Sequence, residues 1–318
     1  MQLSVVTPYW QDRAPAENLE LAKVADRLGY PELWMGEMAT YDAFAFATAV
    51  GLNTEQIHLA IGPLAVSVRT PMTIAMGTAS VANLTGRTTH IALGASSQVV
   101  VREWHGKDRR RTATHMDETA RIVRALLNGE KANLEGELAS CKGYRLRLDA
   151  PESAITIAAF TPAAVRAAAR RADRMLLNMV TSTSVALLHT QLREASEHAG
   201  KPMPRLAVWL PTAVNPTRES IDQLKRGIVG YLAAPGYSEM IAAAGFSELV
   251  EFARTRPHPK EILDAMPDEL IATIGLLGSE SEVAAQLAEY EAAGADEICI
   301  VPATAGDDCG ERTLRALS

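Results

Sequence analysis

Few residues in this sequence have both the type and the placement to do chemistry. Glu37 is the only carboxylate immediately after a strand-like apolar run in the first half of the chain, in Trp34-Met35-Gly36-Glu37. That position suits a proton-transfer group, or a rim carboxylate paired with an arginine. Neither GxSxG nor a Ser-His-Asp arrangement is evident, and no pair of the 7 histidines has ligand spacing, so nucleophilic and metal-dependent hydrolysis are disfavoured. His105, in Trp104-His105-Gly106, reads as a hydrogen-bonded structural histidine or as a proton donor, and Tyr9 and Tyr41 are further donors by type. Small residues, hydroxyls and a few aromatics dominate the remaining strand-end positions. That set suits an enzyme whose cofactor carries the hard chemistry.

Two features could meet an anion. Thr161-Pro162 opens a helix, with a capping hydroxyl and a proline at the first helical position. Its free N–H groups are either an anion cradle or an ordinary capped start. Lys107, Arg109, Arg110 and Arg111 form a basic run, which is a solvated loop or a contact for a polyanion.

The elements that must position these residues alternate regularly. Apolar runs at Leu3–Pro8, Glu32–Met35, Ile57–Val66, His90–Leu93, Ile155–Ala159, Arg174–Val180, Arg205–Val214 and Glu297–Val301 read as strands. They are nearly continuous, as in a parallel sheet covered on both faces. Helical patterns separate them, at Asn18–Leu28, Ala43–Leu52, from Thr70-Pro71, at Asp117–Leu127, from Thr161-Pro162, and near Ser184–His198. A capping box in Ser279-Glu280-Ser281-Glu282 starts another, and 310–317 form a terminal helix. Residues 131–149 read as a hairpin excursion, and 218–276 as a helical insertion without a clear strand. The expected fold is α/β, a (β/α)8 barrel in one domain over 1–318, with a large doubly wound sheet as the alternative.

Composition sets outer limits. The 318 residues are enough for one large core. A net charge of −7 offers no field to attract nucleic acid. No window of 18 apolar residues lacks a charge, so no membrane span is expected, and no secretory signal is visible after Met1. Cys141, Cys299 and Cys309 are far apart and odd in number, which predicts neither disulfides nor a zinc site and points to a reducing, cytoplasmic setting.

Several segments together resemble the luciferase-like oxidoreductase superfamily. They are Ile155 to Pro162 running on to Ala172-Asp173 and Leu176-Leu177-Asn178, Leu93 to Ser97 followed by Trp104-His105-Gly106 and by Glu118 to Gly129, and Trp34 to Glu37 with Asp42 and Phe44. The block after the fourth strand is similar to the subgroup that uses the deazaflavin coenzyme F-420. The resemblance covers essentially the whole chain and implies a barrel with an insertion after the seventh strand. It also implies hydride transfer between F-420 and a small organic substrate. An FMN-dependent monooxygenase and a barrel that binds a cofactor or ligand without turnover are the alternatives.

What the resemblance implies for the site can be placed residue by residue. Gly62 and Pro63, with Leu64, match the bend behind the cofactor ring, where the family has a cis peptide; here cis and trans both remain open. Ala95, Ser96 and Ser97 match the fourth-strand loop, and Ala159, Phe160 and Thr161 the place of the cofactor phosphate. Glu37 matches an acidic residue that approaches the cofactor. Met38 stands where many relatives have a proton-transferring histidine, Ser97 near where sugar-phosphate dehydrogenases have a glutamate, and Thr161 and Ala163 where a glycine and a basic residue are usual. These departures argue against a sugar-phosphate alcohol dehydrogenase and leave the proton donor open. The basic run could meet the polyglutamyl tail of F-420, and a homodimer is expected from helices beside the second and third strands.

Overall fold

The apolar runs become parallel strands because each is followed by a helix that returns the chain to the same end of the sheet. The computed structural model describes residues 1–318. Its strands are β1 Gln2–Thr7, β2 Glu32–Met35, β3 His58–Ala65, β4 Thr89–Gly94, β5 Lys131–Glu135, β6 Ser140–Arg145, β7 Ile155–Ala158, β8 Arg174–Asn178, β9 Arg205–Val214, β10 Leu276–Gly278 and β11 Glu297–Pro302. The main sheet runs β10-β9-β11-β1-β2-β3-β4-β7-β8, and β8 also pairs with β9. Without the edge strand β10 this is the cyclic order of eight parallel strands, the (β/α)8 barrel.

The contacts divide into two units. One holds 31–176 and 190–206, and with them β2, β3, β4 and β7. Its helices include α2 Ala43–Asn53, α3 Pro71–Thr85, α4 Thr112–Leu127 and α5 Pro162–Arg171. Thr70 and Thr161 cap α3 and α5 through their hydroxyls, each with proline following, as their sequences predict. Glu32 and Arg174, the first residues of β2 and β8, form a buried ion pair (2.7 Å), and the guanidinium lies 4.3 Å from the Trp34 ring centroid. The hairpin β5–β6 is antiparallel, and its tip hangs on α4. Glu118 accepts the backbone N–H groups of Glu137, Leu138 and Ala139 at 2.8–2.9 Å. Burial raises the Glu118 pKa, but those donors outweigh it and hold the carboxyl below its ordinary value.

The other unit holds 1–30, 177–189 and 207–318, including helix α1 Glu17–Arg27, β1, most of β9, β10 and β11. Ser4 donates to the buried Glu297 across β1 and β11 (2.7 Å). The insertion is helical as expected, with helices at Arg218–Ile228, Tyr237–Ile241, Ser247–Arg254, Pro259–Ala265 and Glu269–Ile274. It closes on a strand that the sequence reading did not include, β10, which pairs with Thr212 to Val214. Three residues are too few to show a period.

Candidate active site

The C-terminal ends of β3, β4 and β7, all in the first unit, bring the predicted site residues together. Between Ile61 and Leu64 the register of β3 on β4 shifts, and the Gly62–Pro63 peptide is cis. Gly62 has φ +114°, and a Cβ there would collide with the carbonyl oxygen of Ala92. Only glycine fits that backbone. A Cβ on Gly94 of β4 would lie 2.9 Å from Cβ of Pro63, so the proline ring rests directly on a strand without a side chain. Leu64 turns inward and is fully buried, so only its backbone is left to face a ligand.

The β4 loop continues this rim. Ser96 has φ +53°, a left-handed conformation rare for serine, and its carbonyl accepts from Arg109 Nε at 2.8 Å. Ser97 Oγ accepts from the N–H of Val100 (3.1 Å) at the start of a π-helical segment, Val99–Trp104. That segment lies between the predicted fourth strand and the helix predicted from Asp117, where the sequence shows no period. His105 follows it, exposed and with no hydrogen bond to its ring, so the expected structural, hydrogen-bonded histidine is not what the fold makes. The basic run is largely engaged by the protein itself: Arg109 holds Ser96, Arg111 pairs with Glu137, and Arg110 lies 3.8 Å from Asp108.

On the β7 side, Ala159 is buried and its N–H donates to the Leu176 carbonyl (3.1 Å). Phe160 is half-buried, and Thr161 is exposed with its hydroxyl accepting the N–H of Ala164 (3.4 Å). Pro162 has no N–H, which leaves that of Ala163 in the first turn without a capping partner.

Glu37 is held by an arginine that sequence reasoning did not single out. Arg69, after β3, donates to Glu37 Oε2 from Nε (2.8 Å) and to both Glu37 and Asp42 from Nη2. The N–H of Ala43 adds a bond to Glu37 (3.2 Å). Asp42 also caps α2 through Phe44 and Ala45, and the Arg69 guanidinium lies 5.1 Å from the Phe44 centroid. Burial raises the Asp42 pKa, but the Ala45 N–H and Arg69 outweigh it and lower the carboxyl; bonding to Glu37 holds Arg69 firmly protonated. Sequence reasoning also missed His115, in the first turn of α4. Its Nδ1 lies 3.5 Å from Ser67 Oγ just past β3, and burial lowers its pKa.

At the C-terminal ends of β3, β4 and β7 the partly exposed residues Pro63, Ala65, Ala95, Ser96 and Ala158 have small side chains, with the Phe160 ring beside them. A planar ring can therefore lie against backbone there, and the α5 N-terminus offers a donor to a phosphate oxygen. The family profile described as luciferase-like monooxygenase matches residues 1–297. The chain belongs to that family. Two 5,10-methylenetetrahydromethanopterin reductases are similar to this luciferase-like chain. That of Archaeoglobus fulgidus is 20% identical over 287 residues, 87% of this chain and 86% of the relative. That of Methanolobus tindarius is 22% identical over 181 residues, and the match spans 57% of this chain and about half (55%) of the relative. Among solved structures, the coenzyme F-420 dependent tetrahydromethanopterin reductase from Methanopyrus kandleri superposes with a TM-score of 0.86 at 16% identity, covering 100% of this chain and 97% of that one. The oxygenating constituent of 3,6-diketocamphane monooxygenase from Pseudomonas putida, in complex with FMN, gives 0.70 at 18% identity, covering 100% and 97%. At these identities the structural likeness establishes the fold, and the family makes the chain an oxidoreductase.

Proposed function

We propose that the chain is an F-420-dependent oxidoreductase, one barrel domain over 1–318 that exchanges a hydride between the deazaflavin and a small organic substrate. The likeness over the whole chain to the F-420 dependent reductase of Methanopyrus kandleri carries this reading. The rim supports it. Pro63 and the backbone of Gly62 and Leu64 would back the ring, Ala95 to Ser97 would border it, and Ala159 to Thr161 would hold its phosphate at the helix start. Bound there, the cofactor supplies the hydride chemistry. The protein's own work is to fix the ring, exclude water and place the substrate. Glu37, pinned by Arg69, orders the β2 and β3 loops around that place, and the Ser67–His115 pair is the titratable group beside it.

The FMN complex of the diketocamphane enzyme supports a second reading, an FMN-dependent monooxygenase on the same rim. The two separate in an anaerobic assay. Oxidation of reduced F-420 by electron-poor C=C or C=N substrates under nitrogen supports the deazaflavin reading. Turnover only with reduced FMN and oxygen replaces it with the second, and turnover with neither leaves a binding barrel.

The setting proposed is cytoplasmic, consistent with three free cysteines and with no helix long and apolar enough to cross a membrane. The partner proposed is a second copy. Helices α2 and α3 carry no charged residue over 43–53 and 71–85, and they expose Leu52, Met76 and Leu84.

A further inference from the structure

Helices α4 and α5 face each other across a cleft lined by five arginines, in a protein whose net charge is −7. Arg121 and Arg124 come from α4, and Arg166, Arg170 and Arg171 from α5. Two adjoining cavities of about 330 Å³ and 320 Å³ make up the cleft, and Arg121 and Arg170 line both. Like charges brought together along and between helices oppose folding unless something neutralises them. Part of that neutralisation is built in: Asp117 pairs with Arg170 and Arg171 (2.9 and 3.1 Å), and Arg124 with Asp173. The Glu118 carboxylate, also in the cleft, is occupied by the hairpin N–H groups. Arg121 and Arg166 are exposed and make no ion pair or side-chain hydrogen bond.

The cleft begins at the candidate site. Ala113 and Thr114 in the first turn of α4, and Ala163 in the first turn of α5, line its upper cavity, next to the Thr161 cap. Its lower cavity reaches Asn128. From Ala113 to Asn128 the helix rises roughly 22 Å, the reach of about six extended residues. A linear polycarboxylate leaving the α5 N-terminus would therefore pass Arg166 and Arg121 in turn, and guanidinium forks match carboxylates in geometry.

We infer that the cleft between α4 and α5 is a binding groove for the glutamyl tail of the deazaflavin, with Arg121 and Arg166 as its unpaired anchors. The inference rests on the proposed cofactor. It moves the tail away from the basic run at 107–111, where the arginines are already engaged by protein groups.

The test is a fluorescence titration with two ligands, F-420 carrying its glutamyl tail and a deazaflavin lacking it. Both are titrated into the wild-type chain and into an Arg121→Ala/Arg166→Ala double variant whose thermal melt shows that it folds. The wild type is expected to bind the tailed form about tenfold more tightly, the scale of two solvent-exposed charge pairs. In the variant that preference disappears, the affinity for the tail-less form is unchanged, and the salt dependence of tailed binding weakens. Equal affinities in the wild type, or a preference that survives in the variant, overturn the groove and leave the cofactor reading standing. Failure of the wild type to bind either ligand overturns both.

Discussion

Arg69 and Glu37 lock two rim loops together: the guanidinium donates twice to the carboxylate, and each side chain is only 21% exposed. Replacing Arg69 with Met strands a half-buried carboxylate. The expected loss is about 1–3 kcal/mol, the usual cost of leaving a buried polar group without its partner, read as a lower urea midpoint with an unchanged slope. Glu37→Gln keeps the shape and one acceptor, and is expected to cost less than Arg69→Met. If Glu37 only orders the loops, the pH profile of kcat is the same in Glu37→Gln as in the wild type; a lost limb would instead make Glu37 the proton-transfer group.

Gly94 supports Pro63 with no room to spare. Gly94→Ala must push the proline ring toward the place proposed for the cofactor. Overpacking of this kind typically costs about 1–3 kcal/mol, and here cofactor affinity should fall along with the melting temperature. A variant that melts lower yet binds the cofactor with full affinity would separate the Pro63 bend from the site.

Because burial lowers the His115 pKa, this residue binds protons more weakly folded than unfolded. Its contribution to stability is therefore complete above the ordinary value of 6.5 and is lost as pH falls from there through the lower folded value. Thermal melts of wild type and His115→Gln between neutral and acid pH should converge as the pH drops, since the variant has no imidazole to protonate. Parallel curves would remove His115 from the acid sensitivity.

The ion pair of Glu32 and Arg174 is almost wholly buried, at 6% and 4% side-chain exposure, and joins strand starts 142 residues apart. Removing one partner, as in Arg174→Met, leaves a buried charge and is expected to cost about 3–5 kcal/mol. The double variant Glu32→Leu/Arg174→Met should recover much of that loss. Equal denaturation midpoints for the two variants would contradict the account.

Glutamate at Leu52 and Leu84 puts charge on the exposed apolar face of α2 and α3. If that face joins two copies, light scattering should give a dimer for the wild type and a monomer for Leu52→Glu/Leu84→Glu. A monomeric wild type ends the proposal.

The barrel was legible because its strands are buried on both faces and so read as unbroken apolar runs, and because Thr70-Pro71, Thr161-Pro162 and Ser279 announce their helices. The short β10 and the π-helical turn after Ser97 carry no period long enough to register. At the site, the Gly62–Pro63 bend and the rim residues came from resemblance. The partner of Glu37 did not, since Arg69 lies 32 residues away and nothing local marks it. The arginines of α4 and α5 look like ordinary polar helix positions until the fold sets them face to face.

The most direct measurement is a parallel titration of the purified chain with F-420 and with FMN, followed by cofactor fluorescence. F-420 is expected to bind at micromolar concentration or tighter, and FMN is expected not to bind. Binding of FMN alone, or of neither, would contradict the deazaflavin reading.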